Sequence, residues 1–238
     1  MSNILCLIPA RGGSRRVPRK NVLPLAGKPL LAYTLEAAID SGVFADVVVS
    51  SDDAEILAVA REWGAGTDER AASLAGDTVP MVRVAEEYLR RDGMNTRYDH
   101  VAVMLPTCPF RTAEDVRRAA ALYARQTGDV SLIAVTNYEF PPQLAMTIAE
   151  DAGLAMREPE TYLRTTRSQS IDTAYHPNGA LYMASVTRFL ANGTFFHEPM
   201  VGYAMPPERS LDIDYPYQFQ MAEALMQERL ATAESESF

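Results

Sequence analysis

The sequence predicts an α/β fold, a mainly parallel sheet flanked by helices, and three observations carry that prediction. Short apolar runs alternate with amphipathic helical stretches across short links, the arithmetic of strand–helix–strand units. The first apolar run, Ile4 to Ile8, feeds a small glycine-containing basic loop instead of an ordinary polar segment. Apolar residues make up 47% of the 238, ample for a core, while no run reaches the roughly 18 that a membrane helix needs. The chain reads as a single unit over 1–238, with an excursion at 136–176 where the helix–strand alternation lapses.

The elements follow in order. Ile4 to Ile8 is sized for a buried parallel strand that stops at Pro9. Beyond it come Arg11, Gly12, Gly13, Ser14, Arg15, Arg16, Arg19 and Lys20, five of the chain's 22 basic residues within ten positions. Glycines let backbone N–H groups turn toward an anion, and Arg and Lys add charge-assisted hydrogen bonds. The spacing matches neither common phosphate fingerprint, so the loop says anion, with a nucleotide phosphate as the expected one, without naming the fold. Pro29 near the first position and Gly42 beyond the end bound a helix over LLAYTLEAAIDS. Val47 to Ser50 is the next strand, and Ser51 or Asp52 can cap the helix that ends at Gly64. Asp52 and Asp53 stand where a parallel strand ends, as a cap or as a nucleoside contact. Asp77-Thr78 reads as a cap for a helix over Val79 to Arg91, and Arg70 as a surface arginine.

Val101 to Leu105 is a buried strand ended by Pro106, and Thr112 with Asp115 forms a capping box for the helix to Arg125. Ser131 to Val135 is a further strand. The D-A-G turn predicts a β-hairpin at about 143–157, inside the excursion. Pro177-Asn178-Gly179 is a turn before the strand ALYM. Leu211-Asp212-Ile213-Asp214 alternates at strand period, which puts both carboxylates on one face, and Pro216 opens a closing helix. Two aligned carboxylates suit a hard cation such as Mg²⁺.

The net charge of -9 argues against nucleic acid and anionic membrane as partners. The first residues lack the basic, apolar and small-residue segments of a secretory leader, so the expected location is cytoplasmic. In that reducing setting Cys6 and Cys108 are expected as two separate thiols. No Ser–His or Cys–His constellation appears, and His100, His176 and His197 carry no assigned role.

Five stretches carry a resemblance: IPARGGSRRVPRKNVLPLAGKPLLAYTLEAA, LAGDT at 74–78, LPTCPFR at 105–111, PNGALYM at 177–183 and LDID at 211–214. In that order they resemble the acylneuraminate cytidylyltransferase family, which includes enzymes for legionaminic and pseudaminic acids. The resemblance implies a Rossmann-like fold of the nucleotide-diphospho-sugar transferase type and a homodimer, the 136–176 excursion completing the partner's sugar site. It implies transfer of CMP from CTP to an acidic α-keto sugar with Mg²⁺ as cofactor. Carried onto this chain, Arg11, Gly12, Gly13, Ser14, Lys20, Asn21, Arg70, Asp77 and Thr78 would bind the nucleotide, with Arg11, Lys20 and Asp212 catalytic. Leu105, Thr107, Arg111, Arg164, Arg167, Gln169, Asn178 and Gly179 would bind the sugar, and Asp212 and Asp214 the metal. Leu105 stands where the family commonly has glutamine, and Cys108 where it has serine. The alternatives are a 3-deoxy-manno-octulosonate cytidylyltransferase, sharing the fold, and a nucleotide-binding regulatory protein without turnover.

Overall fold

A computed structural model describes residues 3–76, 78–164 and 171–235. In chain order the elements are β1 (Ile4–Pro9), β2 (Pro24–Leu25), β3 (Lys28–Pro29), α1 (Leu30–Ser41), β4 (Asp46–Ser51), α2 (Ala54–Glu62) and β5 (Gly66–Glu69). Then follow α3 (Met81–Arg90), α4 (Met94–Arg97), β6 (His100–Val103), α5 (Ala113–Ala124), β7 (Ser131–Asn137), β8 (Met146–Ile148), β9 (Leu154–Met156) and α6 (Pro159–Arg164). The chain closes with β10 (Tyr175–Ser185), α7 (Val186–Asn192), β11 (Met200–Ala204) and α8 (Pro216–Ser235).

The main sheet has seven strands in the order β11-β7-β10-β6-β1-β4-β5. β1 pairs in parallel with β4 and β6, β4 with β5, and β11 with β7. Only β10 runs against its neighbours, antiparallel to both β6 and β7. From β1 the chain moves one way to β4 and β5, then returns past β1 to β6 on its other side. The carboxyl ends of β1 and β6 therefore flank a topological switch point, where a doubly wound sheet opens a crevice.

Strand alternation sends side chains to two cores. Cys6 and Ile8, with Ala102, Met104, Leu132 and Ala134, pack under α1, α2 and α5. Leu5 and Leu7, with Val101, Val103 and Ile133, pack under α3 and α7. A third cluster, Leu25, Leu30, Phe110, Ile213, Ala222 and Met226, fastens α8 to the start of α1 and to the segment after β6. Burying side chains of this size stabilises by roughly 1.5–3 kcal/mol each relative to exposure, so α8 is held by its apolar side although its outer face is wet.

Several expectations shift by a residue or two. Pro29 lies at the N-cap of α1 and not inside it. Asp53, not Ser51 or Asp52, caps α2, accepting from the N–H groups of Glu55 and Ile56 at 3.0 and 3.1 Å. α3 begins at Met81 behind Pro80, with no side-chain cap. The Thr112–Asp115 capping box forms as predicted, and β8 and β9 pair as the predicted hairpin. Residues 211–214 do not join a sheet. They run as a loop tied by the Ile213 N–H to the Thr107 carbonyl at 2.9 Å, with Ile213 fully buried. Both cysteines are free and buried. Among the described residues no helix is long and apolar enough to cross a membrane.

Candidate active site

One cavity of about 300 Å³ opens at the switch point, between the ends of β1 and β6. Arg11, Ser14, Lys20, Asn21, Arg70, Leu105, Thr107, Asp212 and Asp214 all line it, nine of the positions singled out from sequence. Residues almost two hundred positions apart meet here.

The basic loop is built by local constraints. The Gly12 N–H donates to Asp52 at 3.0 Å, so Asp52 holds the loop instead of capping α2. A Cβ on Gly12 would lie 2.7 Å from an Asp53 carboxylate oxygen and 2.8 Å from its Cβ, so only glycine lets the loop approach the start of α2 this closely. Arg19, in the left-handed region at φ 58°, turns away from the cavity and pairs with both Asp53 and Glu55. Its hydrogen bond is the main cause holding the Asp53 carboxyl below its ordinary value. Arg19 thus anchors the loop, while its neighbour Lys20 turns inward and is buried. Lys20 Nζ donates to the Ile213 carbonyl and lies 3.3 Å from Asp214 Oδ1. Asn21 Nδ2 donates to the Arg11 carbonyl at 2.9 Å. Arg70, buried at the end of β5, donates to the Ser50 carbonyl at 2.6 Å and faces the same cavity.

Opposite lies the acidic pair. Asp214 meets Lys20 on one oxygen and Arg16 on the other, the latter at 3.1 Å. Asp212 forms no ion pair among the described residues; burial pushes its carboxyl above its ordinary value, a hydrogen bond from Thr107 opposes this, and Asp214 adds to the rise. A half-buried carboxylate without a paired cation, beside a second carboxylate, fits a hard divalent ion that takes its remaining ligands from water and phosphate. Among the described residues no group of three or more His, Cys, Asp or Glu could hold a metal without such help. The far wall is apolar: Val79, Met81, Val84, Leu105 and Pro106. Sequence reasoning placed Val79, Met81 and Val84 in a helix and gave them no part in the site, since nothing in their pattern marks them.

Other expected site residues lie elsewhere. Arg111 is buried behind the wall, donating to the carbonyls of Ala180 and Leu105 and to the Thr34 hydroxyl. Asn178 is also buried: its Nδ2 donates to Ser210 at 2.9 Å and its Oδ1 accepts from the Ala180 N–H at 3.1 Å. Gly179 sits at φ 75°, where a Cβ would come within 3.0 Å of Cys108 Sγ and 3.1 Å of Leu105, so this turn closes the wall from behind. Arg164 is exposed on α6, 3.6 Å from Glu160. Gly12 and Gly13 shape the loop without lining the cavity, and Thr78 is an exposed turn residue. Asp77, Arg167 and Gln169 lie outside the described residues. Cys108 Sγ is fully buried and donates to the Asn178 carbonyl at 3.0 Å, and burial pushes its thiol up to about 12, the setting of a structural cysteine.

A doubly wound sheet whose switch-point crevice sets a basic glycine loop against two carboxylates is the frame of a protein that handles nucleotide phosphates. The comparisons make the assignment specific: the cytidylyltransferase profile matches residues 5–237, and the chain belongs to that family of nucleotidyltransferases. It is 34% identical over 225 residues to a pseudaminic acid cytidylyltransferase of Campylobacter jejuni, covering 93% of this chain and 95% of the relative. It is 33% identical over 227 residues to a CMP-N,N'-diacetyllegionaminic acid synthase of Legionella pneumophila, covering 94% and 96%. Among solved structures, a CMP:2-keto-3-deoxy-manno-octonic acid synthetase complexed with CTP superposes with a TM-score of 0.69 at 15% identity, over 96% of this chain and 100% of that one, a likeness of fold.

Proposed function

We propose that the protein joins CTP to a nonulosonic acid, giving the CMP-sugar and pyrophosphate, with Mg²⁺ as cofactor and as a homodimer. The observation that carries the reading is the single cavity in which Arg11, Ser14 and Lys20 face Asp212 and Asp214. The anomeric hydroxyl oxygen of the acid, giving up its proton to water, attacks the α-phosphorus of CTP and forms the new P–O bond. The bond from the α-phosphorus to the bridging oxygen breaks, and pyrophosphate leaves with the electron pair. Such a transfer asks the protein mainly for positioning and for offsetting charge on the phosphoryl oxygens. Arg11, Ser14 and Lys20 bind those oxygens, and Asn21 and Arg70 orient the nucleoside. Asp212 and Asp214 hold Mg²⁺, which supplies Lewis acidity to the phosphates when bound. Thr107, by its hydrogen bond, fixes the Asp212 carboxylate.

The names of the two curated relatives support a nine-carbon acidic sugar, and the apolar Leu105 wall supports an acid that presents little hydrogen-bonding demand there. Phe140, Ile148, Leu154 and Leu163, exposed at 61%, 74%, 65% and 75% along the excursion, support its burial against a second copy. The test is pyrophosphate release with CTP, ATP, GTP and UTP in turn, against sialic, legionaminic, pseudaminic and octulosonic acids. Release is expected with CTP and a nine-carbon acid only, and is abolished by EDTA. Preference for the eight-carbon acid, or CTP binding without release from any pair, overturns the reading.

A further inference from the structure

The segment that carries the two carboxylates belongs to no sheet, yet its backbone is tied from three sides. The Ile213 N–H donates to the Thr107 carbonyl at 2.9 Å, and the Ile213 carbonyl accepts from Lys20 Nζ. The third tie comes from the closing helix. Gln218 Oε1 accepts from the N–H of Asp214 at 2.7 Å and from the N–H of Tyr215 at 2.8 Å. One tie therefore comes from the stretch after β6, one from the basic loop and one from α8.

Gln218 is placed for this by the start of its own helix. The Tyr215 carbonyl accepts from the N–H groups of Gln218 and Phe219 at 3.0 and 3.2 Å, which makes Tyr215 the cap residue of α8. Pro216 follows at the first helical position and brings no N–H of its own. Gln218 then stands at the third position, from which a Glu or Gln side chain reaches back to the cap N–H in a capping box. Tyrosine has no short side-chain oxygen to supply the other half of such a box. Gln218 also reaches one residue further than the box requires, to Asp214 itself. Asp214 lines the cavity together with Asp212. The glutamine acts as a neutral group, so it adds no third carboxylate beside the pair. Orienting groups behind a metal ligand fix the ligand's direction, and losing them weakens metal binding by about 10–100-fold.

We propose that Gln218 is a positioning residue for the acidic pair: by holding the Asp214 and Tyr215 N–H groups it fixes the direction of the Asp214 carboxylate, and so sets how tightly Asp212 and Asp214 hold a divalent cation. The opening turn of α8 is then part of the framework of the site and does more than close the third core. The inference rests on the metal-assisted nucleotide-transfer reading and deepens it.

The experiment is a titration of Mn²⁺, which takes the same oxygen ligands as Mg²⁺ and is paramagnetic. It is run on the wild-type chain and on Gln218→Ala, Gln218→Glu, Gln220→Gly and Asp212→Asn, with bound metal read by electron paramagnetic resonance and folding by melting temperature. Gln220 is exposed on the same helix, and glycine there loosens α8 without touching the cap. Gln218→Ala is expected to weaken Mn²⁺ about ten-fold and to raise by a like factor the Mg²⁺ needed for half-maximal pyrophosphate release. Gln218→Glu restores the acceptor and binds Mn²⁺ at least as tightly as wild type. Gln220→Gly lowers the melting temperature and leaves Mn²⁺ affinity unchanged, while Asp212→Asn loses Mn²⁺ and so places the bound ion at the pair. Unchanged Mn²⁺ affinity in Gln218→Ala overturns the inference. A loss that Gln220→Gly shares, which marks general loosening of the helix, or one that Gln218→Glu does not restore, overturns it as well. Wild-type protein that binds no Mn²⁺, or binds it equally in Asp212→Asn, sinks the metal reading itself, a failure distinct from wild-type binding that Gln218→Ala leaves intact.

Discussion

Arg111→Met tests whether this arginine is part of the frame or part of the sugar site. Its guanidinium donates to the Ala180 and Leu105 carbonyls and the Thr34 hydroxyl, bridging β10, the end of β6 and α1. Its Nε is buried without a partner, and among the described residues no carboxylate pairs with it within 4 Å. Methionine keeps the aliphatic bulk and strands three buried acceptors, each worth about 1–3 kcal/mol when left unmade. Two effects offset the sum. Thr34 Oγ1 already lies 3.5 Å from the Leu105 carbonyl, so those two can pair. An unpaired buried cation is also removed, and its desolvation is worth several kcal/mol. The net loss expected is about 3 kcal/mol, or a melting temperature lower by roughly 6–12 °C in a chain of this size. Urea unfolding measures it, as a lower midpoint at unchanged slope. A midpoint shift worth under ~0.5 kcal/mol, together with a ten-fold or larger rise in KM for the acid, would refute the argument and return Arg111 to the sugar.

Lys20→Ala and Asp212→Asn are each expected to cut turnover at least ~100-fold with the fold intact, the scale of losing one charge-stabilising group; steady-state pyrophosphate release reads this out, and full activity in either removes that residue from the chemistry. Asp115 offers a pH test. Burial pushes its carboxyl up, but hydrogen bonds from Arg209 and Thr112 outweigh this, so its net shift is downward. A lowered folded value means stability present above the unfolded value of about 3.9 and lost as pH falls through the folded one. Wild type should therefore lose more stability than Asp115→Asn on going from pH 5 to below pH 4 in urea titrations; parallel acid limbs would contradict the assignment. Finally, Cys6 and Cys108 are fully buried with thiols pushed up to about 12, so neither should react with a thiol reagent at pH 8 until the chain is unfolded. Rapid labelling of one equivalent in the native protein would show that the β6–β10 wall opens.

Much of the frame was legible because local pattern and tertiary role agreed. The apolar runs of β1, β4, β6 and β7 are buried as expected, and the Thr112–Asp115 box is a local device that needs no distant partner. β5 escaped notice because Gly66–Glu69 is polar, and it is a strand only through the edge that β4 offers it. β11 is likewise made by β7. The acidic pair was correctly placed on one side of its segment for a reason that differs from the one inferred: Ile213 is pulled into the third core and held by Thr107, so the alternation survives without a ladder. Nine expected residues do share a cavity, since a motif marks which loops approach a ligand. It does not mark which way a side chain turns within its loop. Arg111 and Asn178 carry the right chemistry for a sugar and spend it on carbonyls and hydroxyls of the protein behind the wall. Arg19 and Lys20 are adjacent basic residues, yet the left-handed turn at Arg19 sends them to opposite duties.

The Lys20–Asp214 contact spans 194 positions. Chain synthesis therefore delivers the basic loop early and the carboxylates only after every strand of the described sheet has emerged. Ile213 supplies both the carbonyl that accepts from the Lys20 ammonium and the plug of the third core, so the late segment ties the early loop in place. The entropy of bringing such distant segments together rises only by ~0.6 kcal/mol for each doubling of the loop, which makes the separation inexpensive in the finished molecule. The two sides of the cavity are thus joined by segments far apart in the chain, and α8, packed beside Ile213 in the third core, is the clasp that holds them together.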